Sequence, residues 1–382
     1  MDIVTQPEHH IRAARRSNML YFLVCGLGIA GWAPMVPYAK ERLSLNEANL
    51  GLLLLLMGAG ALIMMPVTGM LIQKYGSRKI MLAAVFMVAL SLPLLLMMDT
   101  PLTMGIVLFI FGASIGAIDV AMNAQAIHIE QHYTKHIMSS FHGLFSLGGI
   151  FGPLLMGGMI KSGLQPVIAA GMISILLVII AISQYKTLLS YHQESRNGET
   201  TKFSWPGRTV FFLGLMCFIV FLAEGSILDW SAVFLKDIKH FDTAIAGTGY
   251  AAFSIAMTAM RLMGDKFVDK LNPQKIIVFG SLISSTGFFL TVFSPWGWLT
   301  LVGFVLVGLG AANIVPVLFS TAGKLKDIPA SVSLPAVTTM GYAGSLAGPA
   351  GIGMIAYFSS LPIAFCFIAV LLLIVSVSFR QK

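Results

Sequence analysis

Three acids interrupt long apolar stretches of the sequence: Asp119 in the run around Ile115–Ala126, and Glu224 and Asp229 in the run from Thr209 to Leu235. An ionised carboxylate in hydrocarbon costs several kcal/mol unless it faces a wet cavity or a partner, so acids in such places are functional candidates. Their natural chemistry is proton carriage. Desolvation favours the neutral form of a carboxylate and water or a cation favours the charged form, so a protein that alternately buries and exposes the group can load and unload it. Sodium would need several oxygen ligands gathered together, and the sequence shows no such cluster. The expected coupling ion is therefore H+, with no metal site and no organic cofactor.

Asp119 has a coherent face, since Gly112, Gly116, Asp119 and Asn123 follow the i, i+4, i+7, i+11 spacing of one helix side. A packing seam of small residues would use the glycines but has no need of a carboxylate. Glu224 and Asp229 are five residues apart, a rotation of about 140° on a regular helix, so they need different partners. Glu224 lies nearer the middle of its run and is expected to join Asp119, while Asp229 is read as a gate or inter-helix hydrogen bond. Arg261, inside another apolar run, has two readings: an acid's partner, or a side chain snorkelling to the interface, the second preferred. His128, His132 and His136 recur every four residues but cross a helix end with no cysteine nearby, so they read as a solvated loop rather than a metal site. His142 either faces a cavity or bonds a neighbouring helix. No nucleophile triad, Walker loop or nucleotide fingerprint occurs, so no enzyme is expected.

The elements that must hold these groups follow from composition. The chain has 382 residues, 57% hydrophobic and only 10% charged, where a soluble domain carries about a quarter charged. Apolar runs predict twelve membrane helices near 18–40, 47–73, 79–98, 102–128, 137–161, 164–185, 209–235, 244–267, 275–293, 298–323, 331–358 and 361–379. Arg12, Arg15 and Arg16 lead into an apolar run too long for a signal-peptide core, so the first helix is expected to remain in the mature protein. Cys25, Cys217 and Cys366 sit in apolar runs as small core residues. The net charge of +8 does not point to nucleic acid, because the cations fall in alternate loops: 18 on one side, and only Lys40, Arg42, Lys161, Lys236 and Lys239 on the other. The positive-inside rule then places both termini in the cytoplasm, in the inner membrane if the source is bacterial.

A hydrophilic stretch, Lys186–Arg208, divides the spans six and six. It predicts an N-terminal bundle over 1–186, a cytoplasmic linker over 187–208 and a C-terminal bundle over 209–382. An offset of 196 residues aligns Lys40 with Lys236, Lys74 with Lys270, Lys79 with Lys275, Gly112 with Gly308, and Gly152–Pro153 with Gly348–Pro349, without gaps. This register indicates a duplication, the architecture of secondary transporters with a midplane site between repeats. The Gly-Pro segments of both halves read as general hinges.

The chain resembles the major facilitator superfamily over nearly its whole length. The signature loop between helices two and three appears as Gly69 through Gln73-Lys74-Tyr75-Gly76-Ser77-Arg78-Lys79, with Gln73 in place of the usual acid. The second copy keeps the acid as Asp269-Lys270 but has Asn272 in place of the glycine. The resemblance implies a cytoplasmic latch built from Lys74, Arg78, Asp269 and Lys270. It also implies a cavity lined by helices one, four, seven and ten, which makes Tyr21, Trp32, Asn123, Trp230 and Asn313, with His142, the substrate-binding candidates.

A narrower resemblance is to the fucose permease type of sugar–proton symporter, through Asp119-Val-Ala121-Met-Asn123 and Leu144-Phe145-Ser146-Leu147-Gly148. That family's second coupling acid would fall at Ala33, whose repeat mate is Asp229, which suggests that the acid has moved to the symmetry-related helix. The segment Glu224-Gly-Ser-Ile-Leu-Asp229-Trp230 is similar to the branch containing MosC-type transporters. The expectation is an all-α, twelve-helix, monomeric transporter in the lipid bilayer, moving a small polar, sugar-like solute by proton symport through alternating access. The alternatives are a proton-driven exporter of drugs or metabolites and a non-transporting sensor on a transporter fold.

Overall fold

In the computed structural model, residues 8–32, 35–45, 47–190, 207–241, 248–325 and 328–380 are described. The expected linker over 187–208 falls largely outside them, as do Ala33 and therefore its comparison with Asp229. The described residues form helices and no strands. They are α1 (Glu8–Trp32), α2 (Val36–Arg42), α3 (Glu47–Tyr75), α4 (Ser77–Leu95), α5 (Pro101–Glu130), α6 (Met138–Lys161), α7 (Pro166–Tyr185), α8 (Arg208–Val233), α9 (Thr248–Leu271), α10 (Pro273–Phe293), α11 (Gly297–Ala311), α12 (Ile314–Gly323), α13 (Ala330–Ala347), α14 (Gly353–Phe358) and α15 (Leu361–Arg380). Among the described residues nine helical segments are long and apolar enough to cross a membrane by themselves. Their outward faces carry bare apolar side chains such as Ile63, Ile106, Ile175 and Ile374, as a lipid-facing surface does.

The first span begins earlier than expected, at Glu8. Two later spans are interrupted beside prolines. The tenth divides into α11 and α12 at Ala312–Asn313. Pro316 has no N–H to offer the Ala312 carbonyl four residues back, so that acceptor is free for another donor. The eleventh passes through a π turn over Gly348–Ile352. Pro153, the repeat mate of Pro349, lies inside uninterrupted α6. The Gly-Pro motif therefore breaks the helical register in the second half only.

The chain divides into two compact units. The first holds residues 1–134, 144–205 and 325–335, and the second holds 135–143, 206–324 and 336–382. Each unit has the same internal packing. In the first, α3 and α4 pack on α5, and α4 and α1 on α7; in the second, α9 and α10 pack on α11, and α10 and α8 on α15. Small residues set the closest approaches. A Cβ on Gly112 would lie 1.8 Å from the Met57 carbonyl oxygen, and one on Gly308 would lie 2.4 Å from that of Phe253. Both residues of the second pair are 196 positions on from the first.

The turn before α4 repeats as well. Gly76 has φ 81°, and its mate Asn272 has φ 67°, so the missing glycine of the second signature loop has not changed the backbone path. The Asn272 side chain accepts the Lys275 N–H at 2.9 Å, closing the start of α10. Two of the five cations on the minority side of the charge count also have structural partners. Arg42 donates to the Leu95 and Leu96 carbonyls at the end of α4. Lys239 donates to the Val292 and Ser294 carbonyls at the end of α10, at 3.0 and 2.6 Å. Cations at helix C-termini satisfy orphan carbonyls and oppose the negative dipole end. Burial holds the Lys239 ammonium below the usual lysine range.

Candidate functional site

In the first unit the candidate groups lie on α1 and α5. Asp119 is buried, and Asn123, one turn along α5, is fully buried. The Asn123 amide donates to the Asp119 carbonyl at 2.8 Å and approaches its carboxylate oxygen at 3.4 Å. Asn18 of α1 donates to the Met122 carbonyl at 3.0 Å, fastening α1 to α5 beside the acid. The side-chain oxygens of Asn18 and Asn123 are both buried without a hydrogen-bond partner. Cys25 of α1 is close enough to Asp119 to feel its charge. Among the described residues no cation is paired with Asp119. The cluster is therefore a buried carboxyl group among neutral acceptors, arranged to receive a proton or a hydroxyl donor.

Tyr21 lies in the same unit, but its hydroxyl donates to the Ala181 carbonyl of α7 at 2.9 Å, a bond that holds two helices together. Trp32 is buried at the end of α1, with its indole N–H unpartnered.

In the second unit Arg261 of α9 is buried within the protein and does not snorkel to the interface as the sequence suggests. Its guanidinium meets both Glu224 oxygens at 3.4 Å, and its Nε donates to the Ala312 carbonyl at 3.1 Å. The proline-freed acceptor at the α11–α12 junction is thus what holds the arginine inside. Asn313, at the same junction, donates weakly to the Met260 carbonyl at 3.5 Å, and its side-chain oxygen is buried without a partner. Gly264 makes room for it, because a Cβ there would lie 2.0 Å from that oxygen. His142 is buried edge-on to Phe319, ring centroids 5.8 Å apart, within electrostatic reach of Arg261. Glu224, Arg261, Asn313 and His142 thus form one polar cluster. Asp229 lies further along α8 with its side chain exposed, and Trp230 beside it packs its ring against Gly353, its indole N–H buried and unpartnered.

Of the latch candidates, Lys74 and Arg78 belong to the first unit and Asp269 and Lys270 to the second. The Lys74 ammonium lies over the Tyr75 ring at 5.2 Å and the Arg78 guanidinium over Tyr185 at 4.5 Å. Asp269 accepts the His136 backbone N–H at 2.8 Å and meets the His136 ring at 3.0 Å, while Lys270 is exposed. Asp265, one turn earlier on α9, accepts the Ser140 N–H at 3.1 Å. Two acids of α9 therefore satisfy free N–H groups at the start of α6, where the helix dipole favours negative charge. His136, in the partly exposed loop before α6, is also Asp269's partner; nothing local in the sequence links residues 133 positions apart. Among the described residues no group of three metal-ligating side chains occurs.

The family model of the Major Facilitator Superfamily matches residues 19–333. An uncharacterized MFS-type transporter of Yersinia pestis is 47% identical, over 95% of this chain and 94% of that protein. Membrane protein MosC of Rhizobium meliloti is 32% identical, over 91% of this chain and 84% of its own length. The fold is shared with the fucose:proton symporter of E. coli, with a TM-score of 0.79, 14% identity, and coverage of 97% and 98% of the two chains. With a helical fold, a duplicated packing pattern and these relatives, the chain belongs to the major facilitator superfamily of multi-pass membrane transporters.

Proposed function

We propose that the protein is a proton-coupled symporter that moves a small polar, sugar-like solute by alternating access, with both termini in the cytoplasm and the monomer as the working unit. The observation that carries the proposal is the contrast between the two acids. Glu224 has a guanidinium at 3.4 Å to neutralise it, whereas among the described residues Asp119 is approached by the amide of Asn123 and by no cation. A buried carboxyl with no counter-ion changes protonation when its exposure changes, which is the requirement for coupling.

Asp119 is therefore assigned the transported proton. Glu224, Arg261 and Asn313 are assigned to solute binding, because a charge pair beside an unpartnered amide oxygen offers donors and acceptors to a hydroxylated molecule. Arg261 joins the residues proposed from sequence, and Asp229, exposed and away from the pair, keeps the gating role. The likeness in fold to a fucose:proton symporter supports placing sugars and polyols first among the candidate solutes.

The test is a stability screen of purified protein against monosaccharides, polyols and small carboxylic acids, followed by vesicle uptake of the stabilising compound with and without a pH gradient. Uptake driven by a gradient acid outside supports the reading. A stabilising compound whose uptake ignores the gradient contradicts it.

A further inference from the structure

We propose that His136 and Asp269 form a proton sensor on the cytoplasmic face, which holds the start of α6 on α9 in acid and loosens it as the pH rises. One Asp269 oxygen takes two contacts from this histidine: it accepts the backbone N–H at 2.8 Å and meets the ring Nδ1 at 3.0 Å. One turn back on α9, Asp265 accepts the Ser140 N–H at 3.1 Å, so two acids on one helix face hold the same segment. Residues 135–143 and α9 both belong to the second unit. The His136 and Asp269 side chains keep 31% and 28% of their surface exposed, so protons reach the pair directly from water.

Capping the start of a helix requires only backbone N–H groups, and the two acids satisfy those without a titratable donor. The ring is an addition to the cap. The duplication does not demand it either: 196 positions away, Gln73 matches Asp269 and Val332 matches His136, so the other half carries neither member of the pair. Imidazole changes charge in the physiological range. The protonated ring meets the carboxylate as a cation, whereas the neutral ring offers one hydrogen bond at most, so docking favours the charged form. The ring's contribution is therefore complete below the titration of a free imidazole and is lost as the pH rises through the titration of the docked one. The other titratable and charged groups of the loop and of the last turns of α9 surround this pair. His128 is half-buried, His132 is exposed with its ring against the His128 carbonyl at 2.9 Å, and Glu130 is buried at the end of α5. Lys135, Lys266 and Lys270 are exposed. For solute to leave toward the cytoplasm, helix ends on that face must part, so a contact that tightens in acid slows that step. On the symport reading each cycle delivers a proton to the cytoplasm, which makes the contact a brake against acid loading. That meaning rests on the proposed coupling and orientation, whereas the contact and its test do not.

The test is hydrogen–deuterium exchange mass spectrometry of the purified full chain in detergent, with neither solute nor gradient, from about pH 5.5 to about pH 8, the range in which imidazole titrates. Each rate is divided by the intrinsic exchange rate at its pH. In the wild type, peptides covering residues 136–143 are expected to lose protection about threefold to fivefold as the pH rises, a modest change because the pair is partly exposed. His136→Gln and Asp269→Asn should each flatten the response, the second while keeping a side-chain oxygen for the backbone N–H. His132→Gln, four residues earlier in the same loop, should retain it. A flat wild-type profile would overturn the sensor. So would a full response in His136→Gln or Asp269→Asn, or its loss in His132→Gln. None of these outcomes bears on which acid carries the coupled proton, which a transport assay decides separately.

Discussion

Removing Arg261 should be among the most damaging single changes to the second unit. Its guanidinium lies 3.4 Å from both Glu224 oxygens, and both side chains are largely shielded from solvent. With an effective dielectric of about 20, the attraction between unit charges at that distance is about 5 kcal/mol. Arg261→Gln leaves Glu224 buried without its counter-ion, which typically costs about 3–5 kcal/mol, and weakens the donor to the Ala312 carbonyl, about 1 kcal/mol more. Glu224→Gln should cost less, about 2–4 kcal/mol, because Arg261 keeps its bond to Ala312. The double variant Glu224→Gln/Arg261→Gln removes both charges and should cost only about 1–2 kcal/mol. The cycle therefore predicts a coupling of at least about 4 kcal/mol, measured by denaturant unfolding of the four proteins in detergent micelles. If the single costs add to the double cost within about 0.5 kcal/mol, the buried pair does not stabilise the unit and the reasoning fails.

Three further expectations follow from the backbone and the helix ends. Asn272 occupies a positive-φ position natural to glycine, so Asn272→Gly should raise the apparent Tm, the relieved strain of about 1–2 kcal/mol exceeding the few tenths lost with its cap; a lowered Tm would refute this. Gly112→Ala and Gly308→Ala force a Cβ into a neighbouring carbonyl and should each cost about 1–3 kcal/mol, Gly112 the more, whereas Gly157→Ala, with nothing within 4 Å, should change stability by less than about 0.5 kcal/mol in the same melts. Asp265→Ala should cost about 1 kcal/mol by uncovering the Ser140 N–H, and Asp265→Asn should recover part of it; identical melts for wild type and Asp265→Ala would show that the carboxylate does not cap α6.

The helices were legible in the sequence because hydropathy and proline act locally. The boundaries of α3, α4 and α6 fall within a few residues of expectation, and the 196-residue offset reappears in the packing of Gly112 and Gly308. The acids were also legible, because a carboxylate in an apolar run is conspicuous by itself. What escaped was pairing. Arg261 was read as a snorkelling side chain because nothing near it in the sequence shows that Pro316 frees a carbonyl to hold it. The partnership of His136 with Asp269 joins a loop to the last turn of α9, and the Lys239 cap joins a loop to a helix end 53 residues away. Each depends on a fold-level encounter between distant positions. Tyr21 had the type and depth of a cavity residue, yet its direction on α1 turns its hydroxyl to Ala181.

The central claim is that Asp119 carries the coupled proton while Glu224 is paired with Arg261. The most direct measurement compares accumulation driven by a pH gradient with solute exchange at equal pH, in proteoliposomes of wild type and Asp119→Asn, using the solute found by the stability screen. The account predicts that Asp119→Asn loses accumulation at least tenfold and retains exchange within about a factor of three. Retained gradient-driven accumulation by a folded Asp119→Asn protein would contradict it.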